Sequence, residues 1–416
     1  MFTFLTEFFQ NPNTLVTLKW LYYVSYVFVP AILVFIAWET WVFYVRALFF
    51  AKTTHVLLEI KLPREILKSP KAMEFCINSM YQTSGEKNWF EKYWEGKVRA
   101  HTSLEIVSLG GSIHFFIWTR KALKNVVEAN LYSQYPGIEI YEVPDYTLPY
   151  TYDPEKYSMY TSEFKLDKAD YFPIKTYIDY GMDKDPDEEY KIDPITPLIE
   201  FLGSIPKDSQ VWIQIVIKAH KAEDWDAAAG KMVDAKWLKA TEKEIETIIT
   251  KSKGEKDKEG KIIPGTVRQL TDIEKETINA LGRSITKKAF DTGMRAIYFA
   301  PKESYSPTNI GGIVGGITHF NSHLNMFKPT NGIEDKWKYL IWKDRSEKKK
   351  NGEKQDLLDA YKRRAYFYRP YKRQDIMVLN SEELATVYHF PGSVSATPTF
   401  SRIESKKSQA PTNIPV

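Results

Sequence analysis

The feature that most constrains this chain is an uncharged apolar run close to its N-terminus. Residues 20–38 contain no charged side chain. In a helix that rises about 1.5 Å per residue, they would span roughly 28 Å, close to the ~30 Å hydrocarbon core of a bilayer. The run therefore predicts a transmembrane helix, which we place at residues 19–46.

Aromatic and basic residues at the ends of the run support this interpretation, because such side chains anchor helices at the headgroups. The predicted anchor residues are Trp20, Tyr22, Tyr23, Trp38, Trp41 and Arg46, with Pro30 as a kink. A cleaved signal peptide is disfavoured because the run is long, begins late and lacks an Ala-x-Ala site. Basic residues follow the helix and only Lys19 precedes it. The positive-inside rule then places residues 1–18 outside the cell membrane and the soluble part in the cytoplasm.

Composition agrees with that location. Cys76 is the only cysteine, so an intramolecular disulfide is excluded, as expected in a reducing compartment. Its apolar neighbours, such as Met73 and Ile77, indicate a core residue rather than a nucleophile. The net charge of +4 is a mild basic excess and does not by itself indicate nucleic acid.

Residues 53–146 have the pattern of a small α+β domain. Strands are predicted at 55–62, 103–109, 112–118 and 137–143, with helices that begin at Ser69-Pro70 and at Arg120. Gly110 and Gly111 separate two alternating runs, which indicates a hairpin. The order β-α-β-β-α-β predicts a ferredoxin-like domain, an antiparallel sheet with two helices on one face.

Residues 154–330 repeat part of this rhythm and predict a second α+β domain, derived by duplication. Its strands are expected at 160–166, 174–180, 210–219 and 294–300, and its helices near 197–202 and at 307–327. Residues 224–291 interrupt it as an insertion. Two amphipathic, charged segments there predict a helical hairpin. The hairpin either docks a partner or is a solvent-exposed insertion with no binding role.

The basic C-terminal region, residues 331–390, contains the best candidate surface. Residues 361–373 hold six cations, five aromatics and no acid. Cations can follow phosphates and aromatic rings can stack on bases, so the segment suits single-stranded nucleic acid. An ordinary structural or partner-binding role and binding to anionic lipid stay open. The candidate residues are Lys362, Arg363, Arg364, Tyr366, Tyr368, Arg369, Tyr371, Lys372 and Arg373. Residues 391–416, rich in Pro, Ser and Thr, predict a linker tail.

Motifs for catalysis are not recognisable. Gly254–Ile262 has the wrong spacing for a phosphate loop, and Gly311–Gly316 does not have the dinucleotide-binding spacing. His319 and His323 are four apart but lack the glutamate of a zinc protease, so two histidines on a half-buried helix is the better interpretation. We therefore predict no catalytic residue, cofactor or metal, and a protein that is not an enzyme.

Five segments occur in a suggestive order: Ser103–Ile117, Ala129–Pro136, Gly293–Pro301, Asn380–Pro391 and Ala410–Pro415. Together they resemble a membrane protein of type IV secretion and conjugation loci. The likeness is to the regions that precede the ATPase domain in coupling proteins (VirD4/TraG-like) and in VirB4-like or HerA-like ATPases. In such families a motor domain with Walker motifs follows, and this chain stops where that domain would begin.

The resemblance implies a non-catalytic, membrane-anchored platform of a DNA or protein translocation apparatus. It would recruit a FtsK/HerA- or VirB4-type ATPase encoded elsewhere, or be the front part of a divided protein. The expected partners are thus the lipid bilayer, that ATPase, DNA and a second copy of the chain. The alternative is a membrane-tethered enzyme that acts on an anionic substrate at the cytoplasmic face, with the basic segment as a clamp.

Overall fold

The computed structural model describes residues 12–63, 68–86, 88–183, 192–221, 223–226, 231–234, 236–253, 268–330, 343–369, 371 and 376–392. Its helices are α1 (Pro12–Lys52), α2 (Pro70–Ser79), α3 (Trp89–Tyr93), α4 (Lys124–Gln134), α5 (Thr196–Gly203), α6 (Lys236–Ser252), α7 (Asp272–Ile285), α8 (Thr308–Thr318), α9 (Lys343–Lys362) and α10 (Ser381–Val387). Its strands are β1 (His55–Lys61), β2 (His101–Leu109), β3 (Ser112–Arg120), β4 (Glu139–Val143), β5 (Tyr157–Leu166), β6 (Gln210–Ala219), β7 (Glu223–Asp226), β8 (Lys231–Asp234), β9 (Ala289–Pro301), β10 (Phe327–Pro329) and β11 (Met377–Asn380).

The N-terminal helix α1 has 41 residues and contains Pro30. Its segment Tyr22–Lys52 is long and apolar enough to cross a membrane, a criterion that a signal sequence also meets. Large apolar side chains along it are exposed, with Phe28 at 61% and Leu33 at 58%. A helix in the core of a soluble protein would bury such side chains. The predicted helix at 19–46 is confirmed, and it continues to Lys52.

The chain forms two compact units. The first joins Met1–Thr54 with Ser84–Val98, so it contains α1 and the short helix α3. The second joins His55–Thr83 with Arg99–Val416 and contains the sheet. The division differs from the predicted domains, because a segment of the first soluble domain belongs to the same unit as the apolar helix.

One antiparallel sheet of nine strands organises the second unit. Its order is β10-β5-β9-β6-β2-β3-β1-β4, and β11 also pairs with β9. Each half of the sheet contributes four strands to this order. Counted from the outer edge of the sheet towards the junction, both halves place their fourth strand in the chain first, then their first, third and second. The halves join where β2 pairs with β6, with Leu104 opposite Ile215. The two segments predicted as separate domains therefore share a continuous sheet.

Alternation along the strands gives the sheet two different faces. On the helical face, side chains such as Leu58, Leu104 and Ile215 pack against residues of α2, α4, α5, α8 and α10 in one large core. The opposite face, which we call the strap face, carries a smaller core around Trp212 and Phe299. It also carries charged residues in the centre of strands, and these define the site described below.

Several predictions of local structure need correction. Residues 174–180 form turns rather than a strand, because the Asp179 carboxylate accepts from the Thr176 amide at 2.8 Å and hydroxyl at 3.1 Å. The helix predicted at 307–327 ends at Thr318, since Asn321 and Ser322 accept backbone N–H groups in the following loop.

The insertion holds the two predicted helices, α6 and α7, which pack against each other. Helix α7 begins with a capping box: the Thr271 hydroxyl accepts from the Glu274 amide, and the Glu274 carboxylate accepts from the Thr271 amide at 2.9 Å. Helix α7 ends at Ile285, and β9 begins at Ala289, inside the predicted insertion. Residues 184–191, residues 254–267 and, from residue 393, the predicted linker tail lie outside the described residues.

Candidate functional site

The basic and aromatic segment lies across the strap face of the sheet. We call residues 361–369 the strap. Tyr361, Arg364 and Tyr366 are 0%, 1% and 1% exposed, and Phe367 is also buried. The strap begins in the last turn of α9, and Leu358 and Tyr361 belong to the strap-face core. The segment predicted as a surface is thus largely a cover for the sheet.

Each part of the strap contacts a different strand residue. The Gln214 amide donates to the Tyr361 carbonyl at 3.2 Å, and Arg295 Nη2 donates to the Ala365 carbonyl at 2.6 Å. Gly293 leaves room for the Tyr366 ring, because a Cβ built there would lie 2.4 Å from ring atoms. These three contacts fix the strap over β6 and β9.

A buried ion pair lies under the strap at the centre of the sheet. Arg364 Nε donates to Glu105 Oε1 at 3.0 Å, and Nη2 donates to Glu105 Oε2 at 3.2 Å. The same guanidinium donates to Asp145 Oδ1 at 3.1 Å. Arg364 adopts a left-handed backbone conformation with φ of 51°, which is uncommon for a residue other than glycine.

The carboxylate of Glu105 accepts hydrogen bonds from three further side chains. Ser103 Oγ donates at 2.7 Å, Gln214 Nε2 at 2.9 Å and the Tyr146 hydroxyl at 2.9 Å. Burial disfavours the charge of Arg364, but Glu105 and Asp145 outweigh it and raise the pKa of the guanidinium. Burial also disfavours the charge of Asp145, and the hydrogen bond from Arg364 reverses that effect and lowers the Asp145 pKa. The Arg364 guanidinium is therefore paired with two carboxylates of the same chain.

A second charged group lies where β2, β6 and β9 end on the strap face. Lys218 Nζ lies 3.2 Å from Asp291, and His220 Nδ1 lies 2.5 Å from the same carboxylate. The Lys218 ammonium also lies 4.6 Å from the Phe367 ring centroid. His101 is fully buried beside these cations, and burial, His55, Arg120 and Lys218 lower its pKa to about 3. His101 is thus neutral in the folded protein.

The residues of the predicted nucleic-acid or partner surface lie in different environments. Arg364 and Tyr366 are buried, because the strap face requires an apolar and ion-paired cover, so neither is available to a ligand at the surface. Arg363 and Arg369 are exposed. Arg363 pairs with Asp359 at 2.9 Å, an ion pair one helical turn away.

The remaining candidates of that surface contribute little to a shared face. Lys362 is half-buried and donates to the Tyr150 carbonyl. Tyr368 is half-buried beside Lys218, and the Tyr371 hydroxyl donates to Asp359. Lys372 and Arg373 lie outside the described residues.

Buried carboxylates also join α2 to α10 on the helical face. The Tyr177 hydroxyl and Lys287 Nζ each donate to Glu74 at 2.7 Å. Glu382 accepts from Thr176 Oγ1 at 2.6 Å and pairs with Arg283 Nε at 3.0 Å. Helices α2 and α10 are thus joined in one polar cluster through the loop that contains Thr176 and Tyr177.

Glu383 is a buried carboxyl with a raised pKa. It accepts from the Asn380 amide at 2.8 Å in a capping box and from the Ile174 amide at 2.9 Å. Burial is the dominant effect and raises its pKa to about 8. The Glu383 side chain is enclosed by backbone donors of the fold, so its shifted pKa reflects a structural position.

A cleft of about 600 Å³ lies between α7 and the loop at 321–324. Its lining includes Lys175, Lys275, Arg283 and His323. Acids accompany these basic groups: Lys275 lies 3.1 Å from Asp272, and Arg283 lies 2.9 Å from Asp179. The cleft therefore has mixed charge.

The histidines predicted to share a helix do not share one. His319 is the C-cap of α8, and His323 is exposed in the loop that follows. Among the described residues, no group of three or more His, Cys, Asp or Glu is arranged to hold a metal ion. Cys76 is buried, and burial raises the pKa of its thiol to about 12.

The predicted anchor residues all lie on α1. Trp20, Tyr22 and Tyr23 are exposed at one end of its apolar run, at 69%, 59% and 66%. At the other end Trp41 is 37% exposed. Trp38 and Arg46 are half-buried within the first compact unit.

Comparison with known families gives a membership for most of the chain. Residues 51–402 match a family described as a domain of unknown function, DUF8128. The chain belongs to this family. In this member of DUF8128 the matched range begins in the last turn of α1 and includes every strand of the sheet and the strap. No curated protein matches the chain.

Proposed function

We propose that this DUF8128 protein is a non-catalytic platform, held in the cell membrane by α1, in a translocation apparatus of the type IV secretion and conjugation kind. Its N-terminus would face outward and its sheet domain the cytoplasm. Its role would be to recruit a FtsK/HerA- or VirB4-type ATPase, or to replace the front part of one. The proposal rests on the resemblance of the five segments, on the apolar helix and on the nature of the buried charges.

The observation that carries the non-catalytic part is the arrangement of Arg364, Glu105 and Asp145. A catalytic site needs ionisable groups that reach a substrate. Here the strongly shifted groups donate to and accept from one another beneath the strap. Glu383 has a pKa of about 8, but backbone amides enclose it. These buried groups, which are paired with one another or with backbone amides, suit a rigid scaffold better than a reaction centre.

The repeated strand order supports the finer part of the fold proposal. The order fourth, first, third, second is that of a split βαβ unit, and it occurs in β4-β1-β3-β2 and again in β10-β5-β9-β6. We propose two ferredoxin-like units, related by duplication and joined edge to edge through β2 and β6.

The helical insertion is the proposed docking element for the ATPase. Helices α6 and α7 interrupt the second ferredoxin-like unit between β6 and β9. Ile273, near the start of α7, is a large apolar side chain with 66% exposure. In this proposal Ile273 would be buried by the ATPase at the centre of the contact.

The experiment is purification of the full-length protein from its native membrane in mild detergent, after chemical crosslinking, with mass spectrometry of the bound proteins. We expect a Walker-motif ATPase of the FtsK/HerA or VirB4 type, crosslinked to α6 or α7. Ile273→Glu should lose that ATPase. Val126→Glu is the matched control, because Val126 is also β-branched and 42% exposed on a helix.

Each outcome decides one part of the proposal. If the ATPase is bound equally by the Ile273→Glu variant, docking through α7 is wrong while the platform stands. If no ATPase is recovered, the platform is wrong. The alternative, an enzyme that acts on an anionic substrate at the membrane, would then come first, with the basic side chains of the cleft, Lys175 and His323, as its binding groups.

A further inference from the structure

Residues 84–98 are the unexpected part of the first compact unit. They follow β1 and α2 in the chain, yet they group with α1 and not with the sheet. The segment contains α3, whose sequence is Trp-Phe-Glu-Lys-Tyr, followed by Trp94. Asn88 caps the helix, since its side chain accepts from the Glu91 amide at 2.8 Å.

Aromatic rings hold α3 against α1. Trp38 and Trp89 are stacked, with centroids 6.0 Å apart and planes at 20°. Trp41 and Trp94 lie 5.3 Å apart. Trp41 Nε1 also donates to the Tyr93 carbonyl at 3.0 Å. These contacts join two segments of the chain through specific positions on the same side of α1.

A close backbone approach fixes the end of the segment. Gly96 has φ of +63°, and a Cβ there would lie 2.4 Å from the Val45 carbonyl oxygen. Only glycine permits both the conformation and the approach. Val42 and Val45 on α1 are 8% and 6% exposed, although much of the rest of α1 is exposed.

The outer side of this segment is apolar and exposed. Trp89, Phe90 and Trp94 are 58%, 54% and 49% exposed, and we call these three residues the aromatic collar. Phe43 and Tyr44 on α1 are 47% and 54% exposed at the same end of the helix. Three large exposed aromatics within six residues need a non-aqueous environment or a partner.

We propose that the aromatic collar inserts into the membrane interface and binds the lipids around α1. This inference rests on the proposed membrane span of α1. The uncharged run ends at Trp38, which is the residue that stacks on Trp89, so α3 lies at the level where the hydrocarbon is expected to end. Tryptophan and tyrosine favour this level, because their rings are apolar at one end and polar at the other.

The collar would give α1 a fixed depth in the bilayer. A single helix can slide and tilt at small cost, whereas a helix with a second aromatic element beside it has one preferred level. The polar residues of α3 agree with this position, because Lys92 can reach anionic headgroups. The last turns of α1, beyond Arg46, would then stand outside the hydrocarbon.

Three phenylalanines of similar exposure provide a matched test. Phe28 in the middle of the apolar run, Phe90 in the collar and Phe75 on α2 are 61%, 54% and 57% exposed. Each is replaced by cysteine in the full-length protein and labelled with a polarity-sensitive fluorophore. Cys76 is buried with a thiol pKa of about 12, so the wild-type chain serves as the unlabelled blank. The proteins are placed in phosphatidylcholine and phosphatidylglycerol vesicles.

Quenching is measured with nitroxides in the lipid headgroup, with nitroxides deep in the acyl chain and with aqueous iodide. We expect the probe at 28 to be quenched most by the deep nitroxide, the probe at 90 by the headgroup nitroxide, and the probe at 75 by iodide. If the probe at position 28 is quenched by the deep nitroxide while the probe at 90 is quenched by iodide as the probe at 75 is, the collar inference is wrong and the membrane span stands. If 28 is not quenched by lipid but 90 is, the span is wrong and the collar binds the membrane by itself.

Discussion

Arg364 and Glu105 form an ion pair of 3.0 Å between residues 259 positions apart in the chain, and their side chains are 1% and 0% exposed. The pair joins the C-terminal strap to the central strand β2. Since β2 also connects the two halves of the sheet, the pair links the strap to the junction between them. A charge pair this deep has no contact with solvent, so its loss acts on the whole fold.

Arg364→Ala should destabilise the protein strongly. The substitution leaves the buried carboxylate of Glu105 without its cation, a change that typically costs ~3–5 kcal/mol of unfolding free energy. The matched control is Arg363→Ala, because the Arg363 side chain is 65% exposed and its ion pair with Asp359 is at the surface. That variant should change stability by less than about 0.5 kcal/mol. Urea unfolding of the full-length protein in detergent measures both.

A double variant separates charge from packing at this pair. In Glu105→Gln with Arg364→Met, no buried charge is left unpaired between the two positions, so stability should recover part of the loss seen in Arg364→Ala. Equal unfolding midpoints for Arg364→Ala and Arg363→Ala would contradict the buried pair. That result would mean that the Arg364 guanidinium is exposed and can contact a ligand.

The sheet was largely predictable, because local patterns determine most of its strands. The run Gln210–Ala219 is apolar and β-branched, and it forms β6 with those bounds. Gly110 and Gly111 predicted the hairpin between β2 and β3, and both have positive φ. The short strand β11 and the continuity of the two halves were not predictable, because they depend on pairing between distant residues that no local pattern contains.

The burial of Arg364 and Tyr366 could not be predicted from the composition of the strap. Composition gives the charge of a segment but not the charge it faces. The signal that could have predicted this burial lies in the strands. Glu105 in β2 and Gln214 in β6 are polar residues in the middle of buried strands. A polar residue in the middle of a buried strand requires a partner, and the basic segment supplies it.

Gly293→Ala should disturb the strap through sterics alone. A Cβ at this position would lie 2.4 Å from the Tyr366 ring, so the ring or the strap has to move, at a typical cost of ~1–3 kcal/mol. Gly311→Ala is the control, because nothing lies within 4 Å of a Cβ there and the residue is in α8. It should stabilise the protein by up to about 1 kcal/mol.

The two glycine variants are compared by thermal unfolding of the full-length protein in detergent. A lower midpoint for Gly293→Ala and an unchanged or higher one for Gly311→Ala support the packing described. Two equal midpoints would mean that Tyr366 does not pack on Gly293.

Cys76 should be chemically inert in the folded protein. Its side chain is 0% exposed and burial raises its thiol pKa to about 12, so neither access nor thiolate is available at neutral pH. Phe75→Cys places a thiol one position away at a site that is 57% exposed. Mass spectrometry after maleimide treatment should find one label on this variant and none on the wild type. Rapid labelling of the native wild-type protein would show that the face of α2 that carries Cys76 is not packed into the core.

Two buried groups with opposite behaviour set the pH dependence of stability. Burial raises the pKa of Glu383 from 4.5 to about 8, so the folded state keeps a proton that the unfolded state loses above 4.5. Stability from Glu383 therefore falls as pH rises from 4.5 to about 8. Burial, His55, Arg120 and Lys218 lower the pKa of His101 from 6.5 to about 3, so only the unfolded state gains a proton below 6.5. Stability from His101 falls as pH drops from 6.5 to about 3.

The contribution of Glu383 is clearest between pH 6.5 and 8, because the unfolded-state imidazole of His101 loses its remaining proton over this range and its effect on stability fades. The wild type should lose unfolding free energy with a slope of up to ~1.4 kcal/mol per pH unit from this group. Glu383→Gln should remove that slope, since glutamine does not titrate. Glu276→Gln, at an exposed position on α7, should leave it unchanged. Urea unfolding at several pH values measures the three proteins, and parallel curves for Glu383→Gln and the wild type would show that Glu383 is ionised in the folded state.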